Sequence, residues 1–391
     1  MTTSTPAQPH DEILPVTALR FVAALYVFLF HIHIRWPLGE AGSAIHQFFS
    51  LGAVGMSLFF ILSGFVLAYT YSRPGFEIKS YAVGRFTRIY PVYFAAAVVT
   101  LPFLFLTVEA TGLPFAAKLA LYGFLIFTNI FLIQAWFPTT FYHWNNGGSW
   151  SISVEAFFYA ALPLALFLMR NRSARTLVAC LAVFYVASTL PGVAFLAFPN
   201  PPPLPTYYAG PVFRIPEFLV GVSVGLLYAR GFRLPKPAVS FLLTVAVLGL
   251  YLLFGNPAGF AYITLNFVAV PLLTMIILSA ASITDGACYR VLTWKPFVSM
   301  GRASYSFYAF QAFLISGLII AHPAIAERIP VTSNGWVVAG ASFTILTAIS
   351  LVSRSLIEVK FRKFLDQRVA LQFDKRAVDR TAAGDRPTVA S

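Results

Sequence analysis

The chain has 391 residues, of which 58% are hydrophobic and only 10% charged, and its mean hydropathy is +0.76. Ordinary soluble domains carry roughly 25% charged residues, so the polar surface needed to coat a water-soluble globule of this length is missing. The formal net charge of +13 does not point to nucleic acid, because Lys and Arg fall between apolar runs and in the tail, a placement that reads as membrane topology.

Residues 1–12 are polar and lack the basic stretch of a signal peptide, so they read as a short arm before a retained first helix. Apolar runs long enough to cross a bilayer follow at 13–34, 48–70, 89–108, 151–169, 176–198, 212–229, 238–256, 260–281, 297–321 and 335–353. The expected fold is therefore an all-α integral membrane protein of about ten transmembrane helices, with one membrane domain over 13–353. A further run, 119–137, is apolar but contains Asn129 and Gln134. Basic residues decide its status. If the loops holding Arg85 and Arg88, Arg170, Arg230 and Arg290 share the cytoplasmic side with the tail, that side collects 22 of the 27 Lys and Arg residues. This bias requires an even number of crossings between Arg88 and Arg170, so 119–137 reads as re-entrant or interfacial and both termini as cytoplasmic.

The Pro-rich segment 199–205 reads as a stiff outer loop. In the basic tail, 354–391, Ile357, Phe361, Phe364 and Leu365 interleave with Lys360, Arg362, Lys363 and Arg368. That pattern suits an amphipathic helix on the inner leaflet, with disorder expected beyond Asp374. No soluble domain is expected at either end. Cys180 and Cys288 have no metal-ligand spacing, and neither a metal nor a nucleic-acid partner is expected.

Ionisable groups inside a membrane are expensive unless they are paired or face a wet cavity, so each is a candidate functional residue. Arg20 and His31 are eleven residues apart on the first run, close to three helical turns, which puts them on one face about 16 Å apart. A snorkelling arginine and a histidine satisfied by a neighbouring helix would give the same spacing. His33 lies off that face, near the membrane interface. Arg214 and Glu217 are three apart and form a natural structural ion pair. Glu155 has no basic residue within a turn and shares a face with Ser151. Arg85 and Arg88, one turn apart at the mouth of the third run, suit a phosphate or pyrophosphate.

Five blocks give the chain a recognisable identity. They are Leu14-Pro15 with Arg20 and His31, Phe59 through Phe65, Arg85-x-x-Arg88 with Tyr90-Pro91, Trp150-Ser151-x-Ser153-Val154-Glu155 with Phe158-Tyr159, and Gly301-Arg302-x-Ser304-Tyr305-Ser306-x-Tyr308. In this order the chain, from about Leu14 to Leu351, resembles acyltransferase family three, the integral membrane O-acyltransferases that include bacterial O-antigen and exopolysaccharide acetylases. It departs from the family pattern at Gln311, where a histidine is common, and at Ala156, where a second acidic residue is common.

The resemblance implies transfer of an acyl group, acetyl in the first instance, from cytoplasmic acetyl-CoA to a hydroxyl of a glycan or lipid-linked saccharide at the inner membrane. Arg20, Arg85 and Arg88 would hold the donor, and His31 would act as general base or carry the acyl group. Glu155 would orient His31 or the acceptor, while Trp150, Ser151, Tyr305, Tyr308 and Gln311 would line the acceptor site. A transporter or flippase of a polar lipid-linked substrate is the alternative, with the same buried groups as its binding site; the lack of an internal repeat speaks against it.

Overall fold

The computed structural model describes residues 12–72, 76–144, 146–198, 200, 203–255 and 266–361. Expectations for the arm before Glu12, the tail from residue 362, the start of the run at 260 and parts of the Pro-rich segment lie outside these residues. The described residues are helical and contain no strand. In chain order the helices are α1 (Leu14–Arg35), α2 (Ala44–Ser50), α3 (Val54–Tyr71), α4 (Ile78–Val99), α5 (Leu101–Glu109), α6 (Phe115–Ile130), α7 (Asn146–Met169) and α8 (Ala174–Ala197). They continue with α9 (Leu204–Ala209), α10 (Pro211–Ala229), α11 (Pro237–Phe254), α12 (Asn266–Ser282), α13 (Gly286–Leu292), α14 (Lys295–Arg328) and α15 (Gly335–Ser353).

Among the described residues eight helices are long and apolar enough to cross a membrane, and two bent pairs, α4–α5 at 54° and α12–α13 at 103°, raise the number of spans to as many as ten. The ten runs in the sequence are recovered with changes at their ends. The third begins at Ile78, so Arg85 and Arg88 lie within its helix rather than before it. The second is broken, because α2 ends at Ser50 and a turn precedes Val54. Helix α6 has 16 residues, about 24 Å of rise, which is short of the roughly 30 Å hydrocarbon core. Polar residues in α6 and in the turn that follows it pin the segment to the bundle. Tyr93 on α4 donates to Asn129 Oδ1 at 2.7 Å, and Gln134 donates to the Ser149 carbonyl at 3.3 Å.

Apolar side chains cover the outside of the bundle as well as its core. Only 11% of the α11 window and 22% of the α8 window is buried, yet both helices are almost wholly apolar, as a lipid-facing surface requires. The tightest seam runs between α3 and α10. A Cβ on Gly64 would lie 2.0 Å from the Phe218 carbonyl oxygen, and one on Gly221 would lie 2.0 Å from that of Ile61. Small residues let backbones approach this closely in lipid, where association depends on packing. Gly301 does the same for α14, its Cβ position being 2.0 Å from the Thr17 carbonyl of α1. Two glycines of the recognisable blocks, Gly64 and Gly301, thus serve packing rather than chemistry.

Helices α1 and α14 run parallel. Thr17 meets Gly301, Phe21 and Phe28 both contact Phe307 at ring-centroid distances of 6.4 and 5.6 Å, and His31 faces Gln311. This register sets Arg20 and His31 at opposite ends of one seam.

Candidate active site

At one end of the bundle α1, α3, α4 and α14 surround a cavity of about 730 Å³, within the range of small-molecule sites. Arg85 and Arg88 enter it from α4, Arg302 from α14 and Arg354 from the π-helical turn Arg354–Val359 that follows α15. Arg20 lines its far wall. Five guanidiniums face two carboxylates, Glu12 and Glu358. Arg88 pairs with Glu358 at 3.2 Å, and Arg302 is held by both oxygens of Glu12. The Arg85 guanidinium stands 5.8 and 5.6 Å from the ring centroids of Tyr71 and Tyr159, within cation–π range. The buried Nε atoms of Arg20 and Arg85 make no hydrogen bond.

Arg20 also lines a second, narrower cavity of about 40 Å³ deeper in the bundle, room for a water or two. Around it are Ser151 and Glu155 from α7, Met56 and Ser63 from α3, and Tyr305 and Tyr308 from α14. Several polar groups here are anchored, whereas the buried Ser304 hydroxyl makes no hydrogen bond. Ser151 donates to the Tyr308 hydroxyl at 2.6 Å, Tyr305 to the Ile89 carbonyl at 2.9 Å, and Tyr159 to Glu155. Pro91, within the same helix, has no N–H and so removes the helical donor for the Thr87 carbonyl.

Gln311 lies about two turns beyond Tyr305 on α14. It is fully buried, its carboxamide faces the His31 ring, and neither carboxamide atom makes a hydrogen bond of ordinary geometry. A buried amide without partners is costly, which marks this as the polar point of the seam. The residue that replaces the family's second histidine therefore stands against the first one. Glu155 is elsewhere. Its neighbours are Tyr159 and Arg20, which places it at the Arg20 end of the seam. Trp150 is 2% exposed, with its ring against Phe60 and Tyr208 at 6.0 and 4.7 Å. The ring is thus enclosed in the bundle core between α3 and α9.

His33 is buried at the end of α1. Its Nδ1 accepts the Leu38 backbone N–H at 2.9 Å, which leaves Nε2 to donate to Ser50 Oγ at 3.0 Å, and Ser50 donates in turn to the His46 carbonyl. Every proton in this chain is assigned, so His33 holds structure. Arg214 and Glu217 form a buried pair at 2.9 Å. Arg214 donates to Ser57 at 3.2 Å, while Asn266 donates to Glu217 at 2.7 Å and to the Ser188 carbonyl. The network ties α3, α8, α10 and α12 together, and removing one charge from such a pair typically costs about 3–5 kcal/mol.

Residues 16–353 match the family described as acyltransferase domain. The chain is 30% identical to "Acyltransferase MdmB" of Streptomyces mycarofaciens over 324 residues, 78% of this chain and 80% of that one. It is 28% identical to "Exopolysaccharide production protein ExoZ" of Rhizobium meliloti (strain 1021), over 82% of this chain and 94% of that protein. A shorter match, 32% identical over 27% of this chain and 52% of the other, links it to "Protein 2 in picA locus" of Rhizobium radiobacter. No solved structure matches. The fold and these likenesses define a multi-pass membrane acyltransferase. The chain belongs to the acyltransferase domain family, as its five sequence blocks had suggested.

Sequence reasoning missed Glu12, Arg302, Arg354 and Glu358 as members of the basic cavity. Arg302 stands in the last of the five blocks, and Arg354 opens the basic tail. Glu358 reaches Arg88 across 270 residues and Glu12 reaches Arg302 across 290, separations that no local spacing signals.

Proposed function

We propose that this protein transfers an acetyl group from cytoplasmic acetyl-CoA to a hydroxyl of a glycan or lipid-linked saccharide. The observation that carries the reading is the double position of Arg20. It lines both the wide basic cavity and the narrow one beyond it, so phosphates held by Arg85 and Arg88 would leave the pantetheine arm pointing past Arg20 along the α1–α14 seam toward His31. The narrow cavity must widen to admit the arm. Met56, which lines it, is a side chain suited to such adjustment.

In the transfer step His31 takes the proton of the acceptor hydroxyl as its oxygen attacks the thioester carbonyl. The C–S bond then breaks, and the imidazolium returns its proton to the departing CoA thiolate. Gln311 orients the ring. The likeness to the Rhizobium meliloti exopolysaccharide production protein supports a saccharide as acceptor.

Incubating the purified protein with radiolabelled acetyl-CoA and lipid-linked saccharide is expected to give labelled, base-labile ester on the saccharide. Saccharide that crosses the bilayer of proteoliposomes unmodified would instead favour the transporter reading. The orientation has its own test. In a background lacking Cys180 and Cys288, Tyr142→Cys should react with an impermeant maleimide in intact cells, whereas Asn171→Cys should react only after permeabilisation. The reverse pattern would put the basic cavity on the wrong side for CoA.

A further inference from the structure

The basic cavity contains two separate carboxylate-occupied cations. On one side Glu358, from the turn after α15, sits on Arg88, while Arg20 and Arg85 line the same wall region. On the other Glu12, from just before α1, sits on Arg302 through both its oxygens, with Arg354 as its other cationic neighbour. Burial acts to raise the Glu12 carboxyl, but hydrogen bonds from Arg302 and Thr17 outweigh it and hold the group below its ordinary range. Glu12 is thus a full negative charge at neutral pH.

The two pairs differ in exposure in a way that matters. The side chains of Arg302 and Glu12 are 43% and 41% exposed, and exposed pairs are weak enough to exchange partners. The bidentate grip of Arg302 on a carboxylate is also the geometry with which a guanidinium grips a phosphate. Five cations against two anions leave the cavity with a surplus of three positive charges, more than one phosphate group would neutralise.

We infer that the cavity holds two phosphate subsites: one at Arg85 and Arg88 for the pyrophosphate, and one at Arg302 and Arg354 for a second, ribose-borne phosphate of the same donor. Glu12 is a placeholder anion that the donor displaces from Arg302. The inference rests on the reading of this cavity as the acyl-CoA site, and it adds Arg302 as a residue that selects 3′-phosphorylated donors over dephospho forms.

The test compares acetyl-CoA with acetyl-3′-dephospho-CoA in the purified full-length protein. For Arg302→Ala the donor KM is expected to rise about tenfold with acetyl-CoA, the effect of one charge-assisted contact, and to stay within about twofold with the dephospho donor. Arg88→Ala should raise both alike. Glu12→Gln should lower the KM for acetyl-CoA alone, whereas loss of a merely structural pair would lower it for neither. If Arg302→Ala affects both donors equally, or Glu12→Gln weakens acetyl-CoA, the second subsite is wrong although the donor site stands. If neither Arg302 nor Arg88 variants move either KM, the assignment of the cavity to acyl-CoA itself fails.

Discussion

Replacing His31 by alanine is expected to lower acyl transfer by about 10²–10⁴-fold, the usual contribution of a positioned general base. The physical case rests on isolation. His31 stands against Gln311, and an amide can orient a ring or hold a hydroxyl but cannot accept its proton at neutral pH. His33, two residues away, has both ring nitrogens committed to Leu38 and Ser50 and is no substitute. Donor KM should change little, because Arg85 and Arg88 line the cavity at the far end of the seam. Thermal unfolding in detergent should also change little, since the ring is only partly buried and makes no ion pair. Turnover measured with saturating acetyl-CoA decides the matter. A variant that retains more than about a tenth of wild-type turnover removes His31 from the role of base. Gln311→His offers a complementary measurement: restoring an imidazole opposite His31 should not rescue His31→Ala if position as well as basicity is required.

The all-α membrane class and a span number near ten were legible because a bilayer imposes length and composition on every crossing. Arg20 and His31 could be set on one face because helical periodicity alone fixes it. What could not be read was which helix that face meets. The parallel register of α1 against α14, with Gly301 on Thr17 and Gln311 on His31, is a tertiary fact that no local spacing carries. The neighbours of Glu155, Arg20 and Tyr159, could not be named because a cationic partner had to come from another helix. An aromatic next to a polar motif, as Trp150 is, suits either a ligand or a core, and its contacts with Phe60 and Tyr208 are equally tertiary.

Substitutions at the donor end should produce the second large effect and one of a different kind: Arg20, Arg85 and Arg88 variants should raise donor KM by roughly tenfold to a hundredfold, with turnover at saturating donor less affected. That range corresponds to one charge-assisted contact of about 1.5–3 kcal/mol. Arg85 is the most informative of the three. Its guanidinium lies near the rings of Tyr71 and Tyr159, a geometry that depends on a flat cation, and lysine keeps the charge without the planar fork. Arg85→Lys should therefore still weaken donor binding. Arg88→Ala carries a complication, because it strands the largely buried Glu358 carboxylate, and an unpaired buried charge can unsettle the fold. The double variant Arg88→Ala with Glu358→Ala removes that penalty while still removing the phosphate contact, so its donor KM should remain high as its thermal stability recovers. Donor titration at fixed acceptor, followed by acceptor titration at saturating donor, separates the two ends of the site. If Arg85→Ala and the double variant leave donor KM unchanged and raise only that of the acceptor, the polarity of the seam is inverted: the basic cavity then receives the anionic headgroup of a lipid-linked acceptor, and the acyl donor must approach His31 from the opposite end of α1.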